Sequence, residues 1–60
     1  MPIVNIDLFE GRTVEQKEAI AKEVTQSIHK NIGAPVETIT VIFRDMLEGE
    51  LYKGGEMRKK

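Results

Sequence analysis

Apolar and polar side chains alternate at the start of the chain, where Val4, Ile6 and Leu8 are separated by Asn5 and Asp7, and Ile3 adds another β-branched residue. That two-residue period predicts a strand over residues 3–8 with one apolar face. Phe9 prolongs the apolar run and Glu10-Gly11 breaks it. The period then changes. Thr13, with Gln16 three places later, is a capping-box pattern, so a helix is predicted to start near Val14. Val14, Ile20, Ala21, Val24, Ile28 and Ile32 recur at helical spacing, while Glu15, Lys17, Glu18, Lys22, Glu23 and Lys30 mostly lie off that stripe. Gly33 supplies a C-terminal stop and Pro35 bars continuation. A short turn over residues 35–38 leads to a second predicted strand, residues 39–44. There Ile39, Val41 and Phe43 face one way, and Thr40, Ile42 and Arg44 the other. Beyond Met46 the pattern weakens. Glu48-Gly49 and Gly54-Gly55 are turn signals around Glu50-Leu51-Tyr52, a segment that fits either a hairpin or a loop.

Strand, long helix, strand is the order of a βαβ unit, an α/β architecture whose two strands run parallel with a right-handed crossover. One helix covers only one face of a two-stranded sheet. Both sheet edges and the face carrying Ile42 are left bare, which a lone subunit tolerates poorly. Pairing two copies gives a four-stranded sheet with two helices on one side, and stacking such dimers by their bare faces completes the burial.

Composition sharpens the need for partners. Sixty residues make one small domain, here residues 1–60, and there are no cysteines to staple it. No Cys/His cluster suggests a structural metal. Yet hydrophobic residues are 40% of the chain, too many for a disordered segment. Oligomerisation is the remaining remedy, so an obligate homo-oligomer is expected. A net charge of −1 argues against nucleic acid, and the one basic cluster, Arg58-Lys59-Lys60, reads as a solvated tail. No apolar run reaches the length of a membrane span, and no secretory signal is evident. A cysteine-free chain fits the cytoplasm.

Candidate chemistry centres on Pro2. Methionine ahead of a small residue is normally trimmed, which would leave proline at the N-terminus as a secondary amine. Opening the first strand, its nitrogen would be held by regular structure. Arg12, in the loop before the helix, offers paired donors suited to a carboxylate or an enolate oxygen. Apolar neighbours, Leu8 and Leu51 among them, could keep water away, and a dry pocket lowers an amine's pKa toward neutrality, making it a general base. Simpler readings stand beside this one. Proline is ordinary at the first position of a strand, and Arg12 reads equally as a solvated loop arginine. His29 sits on the polar side of the helix. Asp7, Glu10, Glu48, Glu50 and Glu56 are accounted for as surface carboxylates, and Tyr52 is the one phenol available as an acid.

Taken together, Pro2-Ile3-Val4, Leu8-Phe9-Glu10-Gly11-Arg12-Thr13 and Glu15-Gln16-Lys17 resemble the opening of the 4-oxalocrotonate tautomerase family. Gly33-Ala34-Pro35, Val41-Ile42-Phe43, Asp45-Met46 and Gly54-Gly55-Glu56 extend the resemblance over essentially the whole chain. It implies a βαβ subunit with a short C-terminal hairpin, assembled as a hexamer of three dimers. It also implies an isomerase that interconverts enol and keto forms of a 2-hydroxydienoate or related enol acid, with no metal or organic cofactor. Pro2 corresponds to the catalytic proline, and Arg12 to an arginine that holds the substrate carboxylate, often from a neighbouring subunit. Thr40 stands where the best-characterised members carry a second arginine, and Leu51 where they carry a pocket phenylalanine. Thr40 brings a hydrogen bond without charge. Arg44 shares its strand face but lies about 13 Å further along. These departures point to a smaller or monocarboxylate enol. Two other readings use the same scaffold: a hydratase or dehalogenase acting on an unsaturated acid, and a non-catalytic oligomeric binding protein.

Overall fold

The computed structural model describes residues 1–59. Strand β1 (Ile3–Phe9) is followed by helix α1 (Val14–Ile32), a single 3₁₀ turn (Val36–Thr38) and strand β2 (Thr40–Met46). A small ribbon of β3 (Tyr52–Lys53) and β4 (Glu56–Met57) closes the chain. β1 and β2 are parallel neighbours, paired residue for residue from Ile3 against Thr40 to Phe9 against Met46. β3 and β4 form a separate antiparallel pair. The expected βαβ unit with a terminal hairpin is therefore present.

Two boundaries move for reasons of hydrogen bonding. β2 begins one residue later than the side-chain pattern suggests, because the Ile39 N–H is spent on the Val36 carbonyl at 3.2 Å, closing the 3₁₀ turn. Both strands also run further at their C-terminal ends. Pairing continues through Asp45 and Met46, and the Glu10 N–H donates to the Met46 carbonyl at 2.9 Å.

The helix starts and stops where the local chemistry dictates. The Thr13 hydroxyl accepts the Gln16 N–H at 3.1 Å and the Gln16 side chain accepts the Thr13 N–H at 2.9 Å, a reciprocal cap of a kind worth about 1 kcal/mol. At the other end Gly33 takes a left-handed conformation (φ 76°) and donates to the His29 carbonyl at 3.0 Å. His29 itself donates from Nδ1 to the Ala34 carbonyl at 2.7 Å, satisfying the first acceptor beyond the helix.

Ile20, Ala21, Val24 and Ile28 are half-buried on α1, matched by Val4, Ile6 and Leu8 of β1 and Val41 and Phe43 of β2. The ends of the predicted stripe do not share this contact: Val14 and Ile32 remain 70% and 69% exposed, being placed in the first and last turns of α1. Lys17 takes a place on the covered side instead, its ammonium 2.8 Å from the Asp45 carboxylate at the end of β2. The opposite sheet face is open. Ile3 and Ile42 are exposed there, and Asp7 and Arg44, directly opposite in the register, form a 2.8 Å ion pair between them.

Among the described residues no side chain is fully buried. The radius of gyration is 14.2 Å, against about 10 Å for a compact domain of this length. The accessible surface is 4702 Å², where a compact monomer of this size would expose about 4,000 Å². A subunit built this way has its core outside itself. Its unfolding midpoint in urea should accordingly rise with protein concentration, by about 1.4 kcal/mol in stability per tenfold for a dimer. Ile42→Asp should remove the helical circular-dichroism signal at micromolar concentration. A concentration-independent midpoint, or a folded and monomeric Ile42→Asp variant, would contradict this.

Candidate active site

Pro2 is half-buried at the head of β1. Its carbonyl accepts the Thr40 N–H at 3.0 Å, the first bond of the β1–β2 ladder. Proline loses nothing at this position, since its missing N–H would precede the paired region. Met1 ahead of it is 90% exposed. While Met1 is attached, the Pro2 nitrogen is an amide; once removed, it is a secondary amine whose carbonyl is already fixed. Thr40 thus lies against Pro2 through its backbone, with its exposed side chain on the open face alongside Ile42 and Arg44.

Arg12 lies at the other end of β1. Gly11, at φ +118°, takes a conformation that side chains with a Cβ disfavour, although open space surrounds it. The requirement for glycine is conformational. The chain then passes through Arg12 directly into the Thr13 cap, so Arg12 immediately precedes the positive end of the α1 dipole. Arg12 is exposed and, among the described residues, makes no ion pair.

Leu51 belongs to that same end. β2 stops at Met46 opposite Phe9, and the chain turns over residues 47–50. The Glu50 N–H donates to the Leu47 carbonyl at 3.1 Å, and the Leu47 N–H donates to the Glu50 carboxylate at 2.7 Å. Leu51 follows, half-buried. Its carbonyl accepts the Arg58 N–H at 2.8 Å.

The four residues singled out in the sequence therefore separate into two pairs. Pro2 and Thr40 meet at one end of the sheet, and Arg12 and Leu51 occur at the other. Seven residue steps of strand separate Pro2 from Phe9, about 23 Å. One arginine side chain cannot bridge that gap. Within one subunit Leu8 also lies about 20 Å along the strand from Pro2, half-buried on the helix-covered face, so that it, like Leu51, does not wall the Pro2 nitrogen of its own chain. Two hollows on the subunit run along α1. One is lined by Lys22, Gln26 and Asn31, another by Ala21, Val36 and Ile39, and neither includes any of the four candidates.

Other candidates are engaged elsewhere. Asp7 pairs with Arg44, Glu50 holds the 47–50 turn, and His29 closes the helix end. Tyr52 is exposed on the ribbon opposite Met57. Among the described residues no group of His, Cys, Asp and Glu is placed to hold a metal ion, and no helix is long and apolar enough to cross a membrane. Arg58 was read as part of a solvated tail, yet its backbone continues the ribbon register opposite Leu51. The signal was available: Leu51 and Arg58 are equidistant from the Gly54-Gly55 turn. Lys60 of the same basic cluster lies outside the described residues.

Comparison with known proteins bears on the family and the fold. Residues 2–60 match the family described as tautomerase enzyme. A "probable tautomerase" of Lactococcus lactis is 65% identical over 60 residues, covering 100% of this chain and 98% of its own. A 4-oxalocrotonate tautomerase isozyme from Methylibium petroleiphilum shares 41% identity, with a TM-score of 0.81 over 90% of this chain and 87% of its own. A fused 4-oxalocrotonate tautomerase, described as an asymmetric trimer, superposes with a TM-score of 0.89 at 26% identity, over 95% of this chain but 46% of its own. With strand order, hairpin and sequence in accord, the chain belongs to the 4-oxalocrotonate tautomerase family of tautomerase enzymes.

Proposed function

We propose that this chain is a cofactor-independent tautomerase in which the Pro2 amine, freed of Met1, is the general base. The amine accepts the enol hydroxyl proton of a small enol acid. The oxygen's electron pair becomes a carbonyl bond, the carbon–carbon double bond shifts, and the proton is returned to carbon. Nothing else is consumed. Arg12 holds the substrate carboxylate, the Thr40 hydroxyl gives an uncharged hydrogen bond, and Leu51 forms an apolar wall. The observation that carries this reading is the seating of Pro2: half-buried, with its carbonyl pinned by Thr40 and one exposed residue ahead of it.

The separation of Pro2 from Arg12 within a subunit makes the site a shared one. Pro2 and Thr40 of one copy face Arg12 and Leu51 of another, in a closed assembly of one domain per chain, residues 1–60. Three dimers, each with a four-stranded sheet, satisfy the open faces. The fused relative supports that number, because a trimer of chains about twice this length holds six such units. The absence of cysteine fits a cytoplasmic location. Because Thr40 brings no charge, the preferred substrate carries one carboxylate, with phenylenolpyruvate a suitable probe. The engagement of Asp7 with Arg44 and of Glu50 with Leu47 leaves the hydratase or dehalogenase reading without either of these carboxylates to activate water.

Pro2→Ala, or retention of Met1 verified by mass spectrometry, should lower kcat/KM for phenylenolpyruvate ketonisation by about 10²–10⁴-fold with assembly intact. Activity should fall as pH drops, since a protonated amine accepts no proton, and this acid limb should disappear with the proline. Wild-type-like turnover with Met1 present would end the general-base reading. The shared site is tested by subunit mixing. Pro2→Ala and Arg12→Ala variants, each nearly inactive, should regain a measurable fraction of activity when co-assembled, because some sites then receive both native residues. No recovery in verified mixed assemblies would mean that the two residues act from one chain. Thr40→Arg should raise kcat/KM for a dicarboxylate enol by roughly tenfold, the scale of one charge-assisted hydrogen bond. An unchanged value in an intact assembly would remove this account of specificity.

A further inference from the structure

Arginine occurs three times in the sequence, at positions 12, 44 and 58. Arg44 is committed, its Nε donating to Asp7 at 2.8 Å. Among the described residues the guanidinium groups of Arg12 and Arg58 make no hydrogen bond or ion pair within the subunit. Arg12 follows the C-terminal end of β1, and Arg58 belongs to the ribbon that follows the C-terminal end of β2 through the 47–50 turn.

The ribbon geometry settles which way Arg58 faces. Tyr52 is opposite Met57, and Lys53 is opposite Glu56. The bond from the Arg58 N–H to the Leu51 carbonyl carries the same register one step further, making Leu51 and Arg58 direct cross-strand partners. Directly opposed residues of an antiparallel pair project from the same face, and successive residues alternate. Leu51 and Arg58 therefore share one face with Lys53 and Glu56, while Tyr52 and Met57 occupy the other. On the Leu51 face the charge of Lys53 is met by Glu56 directly across from it. Arg58 stands across from an apolar side chain. It is the guanidinium on that face with no acid facing it in the register.

We propose that Arg58 is a second anion-binding residue of the site, which together with Arg12 of the same subunit forms a two-guanidinium clamp on the carboxylate end of the substrate. The inference rests on Leu51 lining the pocket, as in the functional reading above. If Leu51 faces substrate, its cross-strand partner does too. Clamp and base come from different subunits, so the clamp sets the substrate's orientation relative to Pro2 without touching the proton that moves. Arg58 is thus a specificity residue, expected to act on substrate binding.

The test compares wild type, Arg58→Gln, Arg58→Lys and Lys59→Gln, each with Met1 removed and its assembly state verified. Arg58→Gln should raise KM for phenylenolpyruvate about tenfold, the scale of one charge-assisted hydrogen bond, with kcat and the acid limb of the pH profile little changed. Arg58→Lys should recover part of the loss, and Lys59→Gln, which removes the next cation along the chain, should behave as wild type. A second readout does not require turnover: the Kd of trans-cinnamate, a non-reacting monocarboxylate, should weaken about tenfold in Arg58→Gln by calorimetry. Should the wild type bind cinnamate but convert no enol acid, the tautomerase reading fails while the cinnamate comparison still decides the role of Arg58. An unchanged Kd in Arg58→Gln, or an equal loss in Lys59→Gln, would overturn the clamp.

Discussion

The parallel register between β1 and β2 governs everything else in this subunit, because it fixes both ends of the sheet at once. Ile3 opposite Thr40 brings the Thr40 N–H to the Pro2 carbonyl, and Phe9 opposite Met46 brings the Arg12 loop beside the start of the hairpin. A one-residue slip of β2 would turn Val41 and Phe43 away from the helix and bring Ile42 and Arg44 under it. The same slip would take the Thr40 amide from Pro2. Packing and the placement of candidate chemistry are therefore set by one alignment, and it cannot be altered for one without disturbing the other.

That alignment is held by a subunit too small to hold itself. A single helix over two strands leaves its best-covered residues only half-buried, and the open face displays Ile3 and Ile42 around the Asp7–Arg44 pair. Exposed ion pairs contribute little, about 0–1 kcal/mol, so neither this pair nor Lys17–Asp45 replaces a core. Capping at Thr13 and the left-handed Gly33 define the helix ends, yet local terms of about 1 kcal/mol do not offset the ordering entropy of a chain this long. Association, as proposed, would supply the missing burial. In an exposed Asp7–Arg44 pair it also finds charges already neutralised against each other, which lowers the cost of covering that face.

Most of the fold was legible because each element announces itself locally. The two-residue period of Val4, Ile6 and Leu8, the Thr13/Gln16 capping box and the Gly33 stop all describe short-range physics, and the strands and helix follow them closely. The departures arise where a distant partner decides. Met46 is strand only because Phe9 and Glu10 pair with it. Lys17 leaves the polar face for Asp45, twenty-eight positions away, and Val14 and Ile32 stay exposed in the terminal turns. The candidate site was legible as a set of residues but not as an arrangement. Strand length separates Leu8 from Pro2 of the same chain, which a list of residues does not reveal. Arg58 read as tail because a ribbon two residues long carries almost no periodic signal, although the symmetry of Leu51 and Arg58 about Gly54-Gly55 contained it.

Distributing the candidate residues over opposite ends of one strand has a consequence for how such a chain can change. In the proposed site the Pro2 end is largely backbone: a proline, the Thr40 amide that pins its carbonyl, and Met1 ahead, which the proposed chemistry needs removed. Few substitutions there leave the amine in place. The anion end is all side chain, carried on a glycine-shaped loop and a ribbon that touches the sheet at its root. Residues there can vary in charge and shape without disturbing the β1–β2 register or the Pro2 seat. In an assembly that joins the two ends across subunits, as proposed, the proton transfer would rest on the Pro2 end alone, while the choice of substrate would be shared between Thr40 there and the side chains of the opposite end. In the proposed assembly a sixty-residue subunit would gain more than burial, since the interface that completes its core would also bring together ends that its own strand holds about 23 Å apart.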